Sequence, residues 1–109
     1  MKLDSVYTEQ MLDSVRKIES FMTGIGYVAF LKDEKTQSAV IMQLALIGEL
    51  AKRLSTEGKS SIGLPWKEIA GFRDRAIHDY FDVDLDIVWN TVQTDIPTLK
   101  KELLGATRP

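Results

Sequence analysis

The chain contains no cysteine and only one histidine, His78, in 109 residues. Disulfides, thiolate metal sites and cysteine nucleophiles are excluded, and a multi-histidine metal site would have to be shared between subunits. An excess of either charge is also lacking. Fourteen Lys+Arg against sixteen Asp+Glu give a formal net charge of -2, too weak a field to gather nucleic acid without a local basic patch. Long apolar runs are absent too: the longest stretch, Ala39 to Ala51, contains Gln43 and Glu49 and is too short to span a bilayer. The N-terminal MKLDSVYTEQ has no apolar segment after its lysine, so it does not read as a secretory signal. Together these absences predict a cytoplasmic protein with no membrane contact and no metal site.

What is present is the composition of an ordinary folded chain, 44% hydrophobic and 28% charged, at a length that suits one domain over residues 1–109. Met11, Val15, Ile18 and Met22 recur at helical spacing and define a first helix over about Leu3 to Met22. The glycines of TGIG, residues 23–26, favour a break, after which Asp33 is placed to cap a second helix running to about Leu54. Val40, Leu44, Ile47, Ala51 and Leu54 form its inner stripe, and Leu46 and Leu50 widen that stripe beyond what one small partner helix covers. A polar, glycine-containing turn over Ser55 to Leu64 leads to Pro65, which suits a first helical position, and a third helix is expected from there to about Tyr80. The last helix, Asp84 to Leu104, opens with acids that suit its positive dipole end and carries Pro97 inside it, which removes one backbone donor. No segment shows sustained period-two alternation. The expected fold class is all-α, an antiparallel bundle of four main helices.

The third helix holds the chemistry. On an ideal helix Arg73 falls in the apolar stripe with Trp66, Ile69, Ala76, Ile77 and Tyr80, so its guanidinium needs a carboxylate or water. Glu49, beside the core stripe of the second helix, is its expected partner. His78 falls on a polar flank with Asp74 at minus four and Asp82 at plus four, and Asp74 is placed to orient it. Arg73 and His78 are about 140° apart on such a helix, so they cannot grip one atom unless the helix ends between them or a second subunit contributes. On residue chemistry alone two readings stand. One is a surface histidine, a structural ion pair and packed aromatics; the other is an acid–base and phosphate site.

Arg73, Asp74, His78 and Tyr80 spell R-D-x-x-x-H-x-Y, which resembles the R-x-x-x-x-H-x-Y signature of HepT-like toxins, a branch of the HEPN domain superfamily. The flanking segments resemble that family in order and spacing: KTQSAVIMQLALIGELAKRL from Lys35, PWKEIAGFRDRAIHDYFDVDLDIVW from Pro65 and DIPTLKKEL from Asp95. The resemblance implies a HEPN-type helical bundle, homodimeric, with the motif lining a cleft at the twofold. It implies a metal-independent endoribonuclease needing no cofactor, the toxin of a type VII toxin–antitoxin module, in which the RNA 2′-hydroxyl attacks the adjacent phosphate. His78 would be the general acid or base and Arg73 would stabilise phosphoryl charge, with Asp74 and Glu49 in support. Arg75, Lys52, Arg53 and Lys67 are candidate contacts to RNA phosphates. Tyr80 would receive adenylyl groups from a cognate minimal nucleotidyltransferase antitoxin, bringing bulk and negative charge into the cleft. Asp79 departs from the small residue of many relatives and sets an acid beside the histidine. The alternative is a non-catalytic HEPN subunit that dimerises and binds a nucleotidyltransferase or a nucleotide.

Overall fold

The computed structural model describes residues 2–79 and 81–107. The chain forms α1 (Lys2–Met22), α2 (Tyr27–Lys32), α3 (Glu34–Arg53), α4 (Thr56–Ser61), α5 (Trp66–Ala70) and α6 (Phe72–Ala76). A small antiparallel hairpin of β1 (Ile77–Asp79) and β2 (Asp82–Val83) follows, pairing Ile77 with Val83 and Asp79 with Asp82. The chain closes with α7 (Leu85–Asn90), a π-helical turn over Thr91–Asp95, and α8 (Ile96–Thr107).

The fold class is all-α, as the periodicity predicts, and the long helices carry the core. Met11, Val15 and Ile18 of α1 meet Val40, Leu44, Ile47 and Ala51 of α3, while Val88, Val92, Ile96, Leu99 and Leu103 close the third side. Asp4, at the start of α1, accepts hydrogen bonds from the amide and hydroxyl of Ser55, just beyond the end of α3, at 3.0 and 2.5 Å. The two helices therefore run antiparallel. At the other end of α1, Glu19 pairs with Lys100 near the start of α8 at 3.0 Å, which fixes the same sense there. Asp33 caps α3 as expected, accepting from the Thr36 amide at 3.0 Å.

Three local expectations change. The turn after Leu54 contains α4, capped by Ser55 and tied down by the Trp66 indole, which donates to the carbonyls of Lys59 and Ile62 at 3.0 Å each. The helix expected to run through Pro97 is interrupted just before it by a π-turn over Thr91–Asp95, a wider turn that accommodates the backbone donor proline lacks. The third change is the largest. The single helix expected from Pro65 to Tyr80 is two short ones, broken at Gly71 (φ -92°, ψ 9°) and finished at Ala76. Glycine weakens a helix interior by about 1 kcal/mol. Continuing beyond Ala76 would also bring Asp79 and Asp82 to the negative end of the helix dipole. Instead the Asp84 amide donates to the Ala76 carbonyl at 2.7 Å and closes the hairpin.

Gly48 sets how close α5 lies to α3. A Cβ added there would stand 2.9 Å from the Ala70 carbonyl oxygen and 3.4 Å from that of Ile69. Gly48→Ala should push α5 outward and destabilise the fold by about 1–3 kcal/mol in urea unfolding. Gly63→Ala, where a Cβ meets open space, should cost much less and serves as the control.

Acid should weaken the same frame. Hydrogen bonds from the amide and hydroxyl of Ser55 hold the Asp4 carboxyl below its ordinary range, and those from the hydroxyl and amide of Thr36 do so for Asp33. A depressed folded-state pKa means that the contribution is present above about pH 4 and lost as the pH falls through the folded-state value. Unfolding followed by circular dichroism from pH 6 to pH 2 should show stability declining over that range, with a smaller decline in Asp4→Asn.

Candidate active site

Because α6 ends at Ala76, Arg73 and His78 do not share a helix. Arg73 sits on α6 and His78 on β1, and the two side chains line one open concavity of about 490 Å³ with Asp74, Ile77 and Asp79. The helix end between them removes the angular separation that a continuous helix would impose. Arg73 is exposed rather than buried in an apolar stripe; its neighbour Phe72 takes the inward position, and Phe72 and Ala76 carry the buried face of α6.

The ion pairs differ from those expected. Arg73 Nη1 donates to Asp74 Oδ1 at 3.3 Å, while Glu49 pairs with Lys52 at 3.3 Å on its own helix. The Glu49–Arg73 pair is not formed, because a broken third helix turns the guanidinium outward. Asp74 faces Arg73 rather than His78. The carboxylate nearest the imidazole is that of Asp84, with Oδ2 3.9 Å from Nε2. The other oxygen of Asp84 accepts from the Ile87 amide at 3.1 Å and caps α7. One carboxylate thus fixes the start of a helix and faces the histidine.

The candidate phosphate contacts divide. Arg75 leans over the Phe72 ring, with Cζ 5.4 Å from its centroid, and pairs with Asp95 at 3.6 Å. Arg53 and Glu49 line a separate concavity between α1 and α3, with Lys17 and Gln43. Lys67 is exposed on α5. Only Arg73, Asp74 and His78 of the expected set are brought together, joined by Asp79. Tyr80 lies outside the described residues. Among the described residues no three His, Asp or Glu side chains stand in a metal-holding arrangement, and no helix is long and apolar enough to cross a membrane.

Sequence reasoning read Asp84 only as a helix-opening acid. Its proximity to His78 follows from the hairpin, which periodicity did not signal. Tyr27 and Asp86 were missed as well. The Tyr27 hydroxyl donates to Asp86 Oδ1 across 59 positions, and its ring makes an edge contact with Trp89 at 5.6 Å.

The family described as "Ribonuclease HepT-like" matches residues 11–104. The chain belongs to it. It is 43% identical over 95 residues to "Probable ribonuclease HepT" of Thermococcus cleftensis, covering 86% of each chain. It is 38% identical over 104 residues to "Putative RNase TTE0752" of Caldanaerobacter subterraneus subsp. tengcongensis, covering 94% of this chain and 93% of that one. No solved structure matches. The HEPN-type bundle and the ribonuclease class expected from the motif agree with this membership.

Asp84→Ala should remove both the cap and the neighbour of His78, lowering stability by about 1 kcal/mol in chemical denaturation. Asp84→Asn, which retains an acceptor for the Ile87 amide, should lose much less stability. Equal losses would mean that the cap contributes nothing.

Proposed function

We propose that the chain is a metal-independent endoribonuclease, the toxin of a type VII toxin–antitoxin module, acting by attack of the RNA 2′-hydroxyl on the adjacent phosphate. The observation that carries the reading is the meeting of Arg73 and His78 in one solvent-open concavity, in a chain of the HepT-like ribonuclease family. In the reaction the 2′-oxygen bonds to phosphorus and the bond to the 5′-oxygen breaks, leaving a 2′,3′-cyclic phosphate and a 5′-hydroxyl. One proton must leave the 2′-hydroxyl and one must reach the 5′-oxygen. Arg73 suits the charge that builds on the non-bridging oxygens. Its present partner, Asp74, is an exposed neighbour, and such pairs are worth at most about 1 kcal/mol, so a phosphate can displace it.

The chain has one histidine and the reaction needs two proton transfers. In a homodimer one His78 accepts the first proton while the other donates the second. Met42 and Leu46 on α3 are exposed apolar side chains that a second copy would cover. A minimal nucleotidyltransferase partner would silence the enzyme by adenylylating Tyr80, next to the active concavity in sequence. Asp79 and Phe81, the described residues on either side of it, are exposed.

The purified chain should cleave RNA in the presence of EDTA and leave cyclic phosphate ends. Arg73→Ala and His78→Ala should each lose at least about 100-fold in rate. Cleavage at full rate by both variants would sink this reading and favour a binding subunit. With a cognate minimal nucleotidyltransferase and ATP, the wild type should gain adenylyl groups and lose activity, whereas Tyr80→Phe should do neither.

A further inference from the structure

His78 borders two concavities. The first holds Arg73. The second, about 380 Å³, lies on the other side of the imidazole, between α2 and the start of α7, and its lining includes Tyr27, Leu31, Asp82, Asp84 and Asp86. That volume is within the usual range of about 300–1,000 Å³ for small-ligand sites.

The two concavities differ in chemistry. Among the described residues no lysine or arginine lines the second, whose ionisable side chains besides the histidine and Tyr27 are three carboxylates. Phosphate is repelled there, while N–H donors are favoured. The rest of the lining is apolar or aromatic: Leu31, Val83, Leu85 and the half-exposed Tyr27. Tyr27 is held at two points, by its hydroxyl on Asp86 and by a T-shaped ring contact with Trp89. It is a pre-set aromatic wall, the kind of surface on which single-stranded RNA bases pack.

The carboxylates have separate duties. Asp84 caps α7 and faces His78, and Asp86 accepts from Tyr27. The carboxylate of Asp82, exposed on β2, makes no hydrogen bond or ion pair among the described residues. A scissile phosphate held between Arg73 and His78 must carry nucleosides on both flanks, and one flank leads past the imidazole into this second concavity.

Resting on the ribonuclease reading, we propose that the concavity between α2 and α7 is a nucleobase subsite that selects guanine beside the cut, with Asp82 reading the base edge and Tyr27 packing against the ring. Guanine alone among the four bases presents two adjacent donors, N1–H and N2–H, that a single carboxylate accepts together. Adenine and cytosine set an acceptor beside their amine, which a carboxylate repels, and uracil flanks its one N–H with two carbonyls.

The test is the digestion of a random-sequence RNA pool with the purified chain, followed by sequencing of the cut ends. Guanosine should be enriched about tenfold at one fixed position flanking the cuts, within what a bidentate base contact discriminates. Asp82→Asn should still cut RNA but with that enrichment reduced to within about twofold of background. Replacing guanosine by inosine, which lacks the 2-amino group, should slow the wild type and leave Asp82→Asn unaffected. Tyr27→Ala should raise KM more than it lowers kcat. Enrichment of another base, or guanosine enrichment unchanged in Asp82→Asn, overturns the subsite while the ribonuclease reading stands. Absence of cleavage by the wild type overturns both.

Discussion

The contact between Gly48 of α3 and the carbonyl end of α5 governs the half of the molecule that holds the candidate site. The Ile69 and Ala70 carbonyls lie where a side chain on residue 48 would be, so α5 seats its last turn directly on the α3 backbone. Gly71 turns the chain, Phe72 and Ala76 become the new buried face, and Arg73 is carried outward. A continuous helix in the same place would bury the guanidinium beside Ile69 and Ala76, at a cost of several kcal/mol unless fully paired. The break replaces that burial with an exposed cation.

The hairpin then sorts charge over a short distance. Arg73 stands on one side of His78 together with Asp74 and Asp79, while the other side has three carboxylates, Asp82, Asp84 and Asp86, and no cation among the described residues. With a net charge of only -2 the molecule has no long-range pull on RNA, so binding has to come from this local contrast. The remaining cations are partly engaged, Arg75 with Asp95 and Lys52 with Glu49. Exposed pairs of this kind are worth about 1 kcal/mol or less, and a phosphate can compete for the cation.

The long helices were legible because each repeats one apolar stripe over several turns. Val40, Leu44, Ile47 and Ala51 are buried as the spacing predicts. Asp33 was legible as a cap because capping needs only a local donor three residues on. The segment from Pro65 to Val83 was not, since its helical spacing runs on past Gly71 and Ala76 while the chain breaks at the first and turns into a hairpin at the second, closed by an Asp84–Ala76 bond that no local pattern reports. Arg73 and His78 were legible as chemistry through the motif, but their geometry was not. The Glu49 partnership failed because it assumed a helix that Gly71 interrupts. Asp84, Tyr27 and Asp86 act across the fold, and a sequence window carries no sign of such pairs.

The helix end also alters what the five-residue spacing of Arg73 and His78 demands. On one continuous helix that spacing points the two side chains about 140° apart, and a second subunit would be needed simply to bring a guanidinium and an imidazole to one phosphate. With α6 ending at Ala76, a single chain already offers both groups to one concavity. Geometry therefore stops being the reason for a twofold. Under the proposed mechanism what remains is proton count: transesterification moves two protons, and the only imidazole in the chain can hold one side of that exchange at a time. On the proposed mechanism, charge stabilisation is available within one protomer, while a separate histidine for each proton transfer would need two.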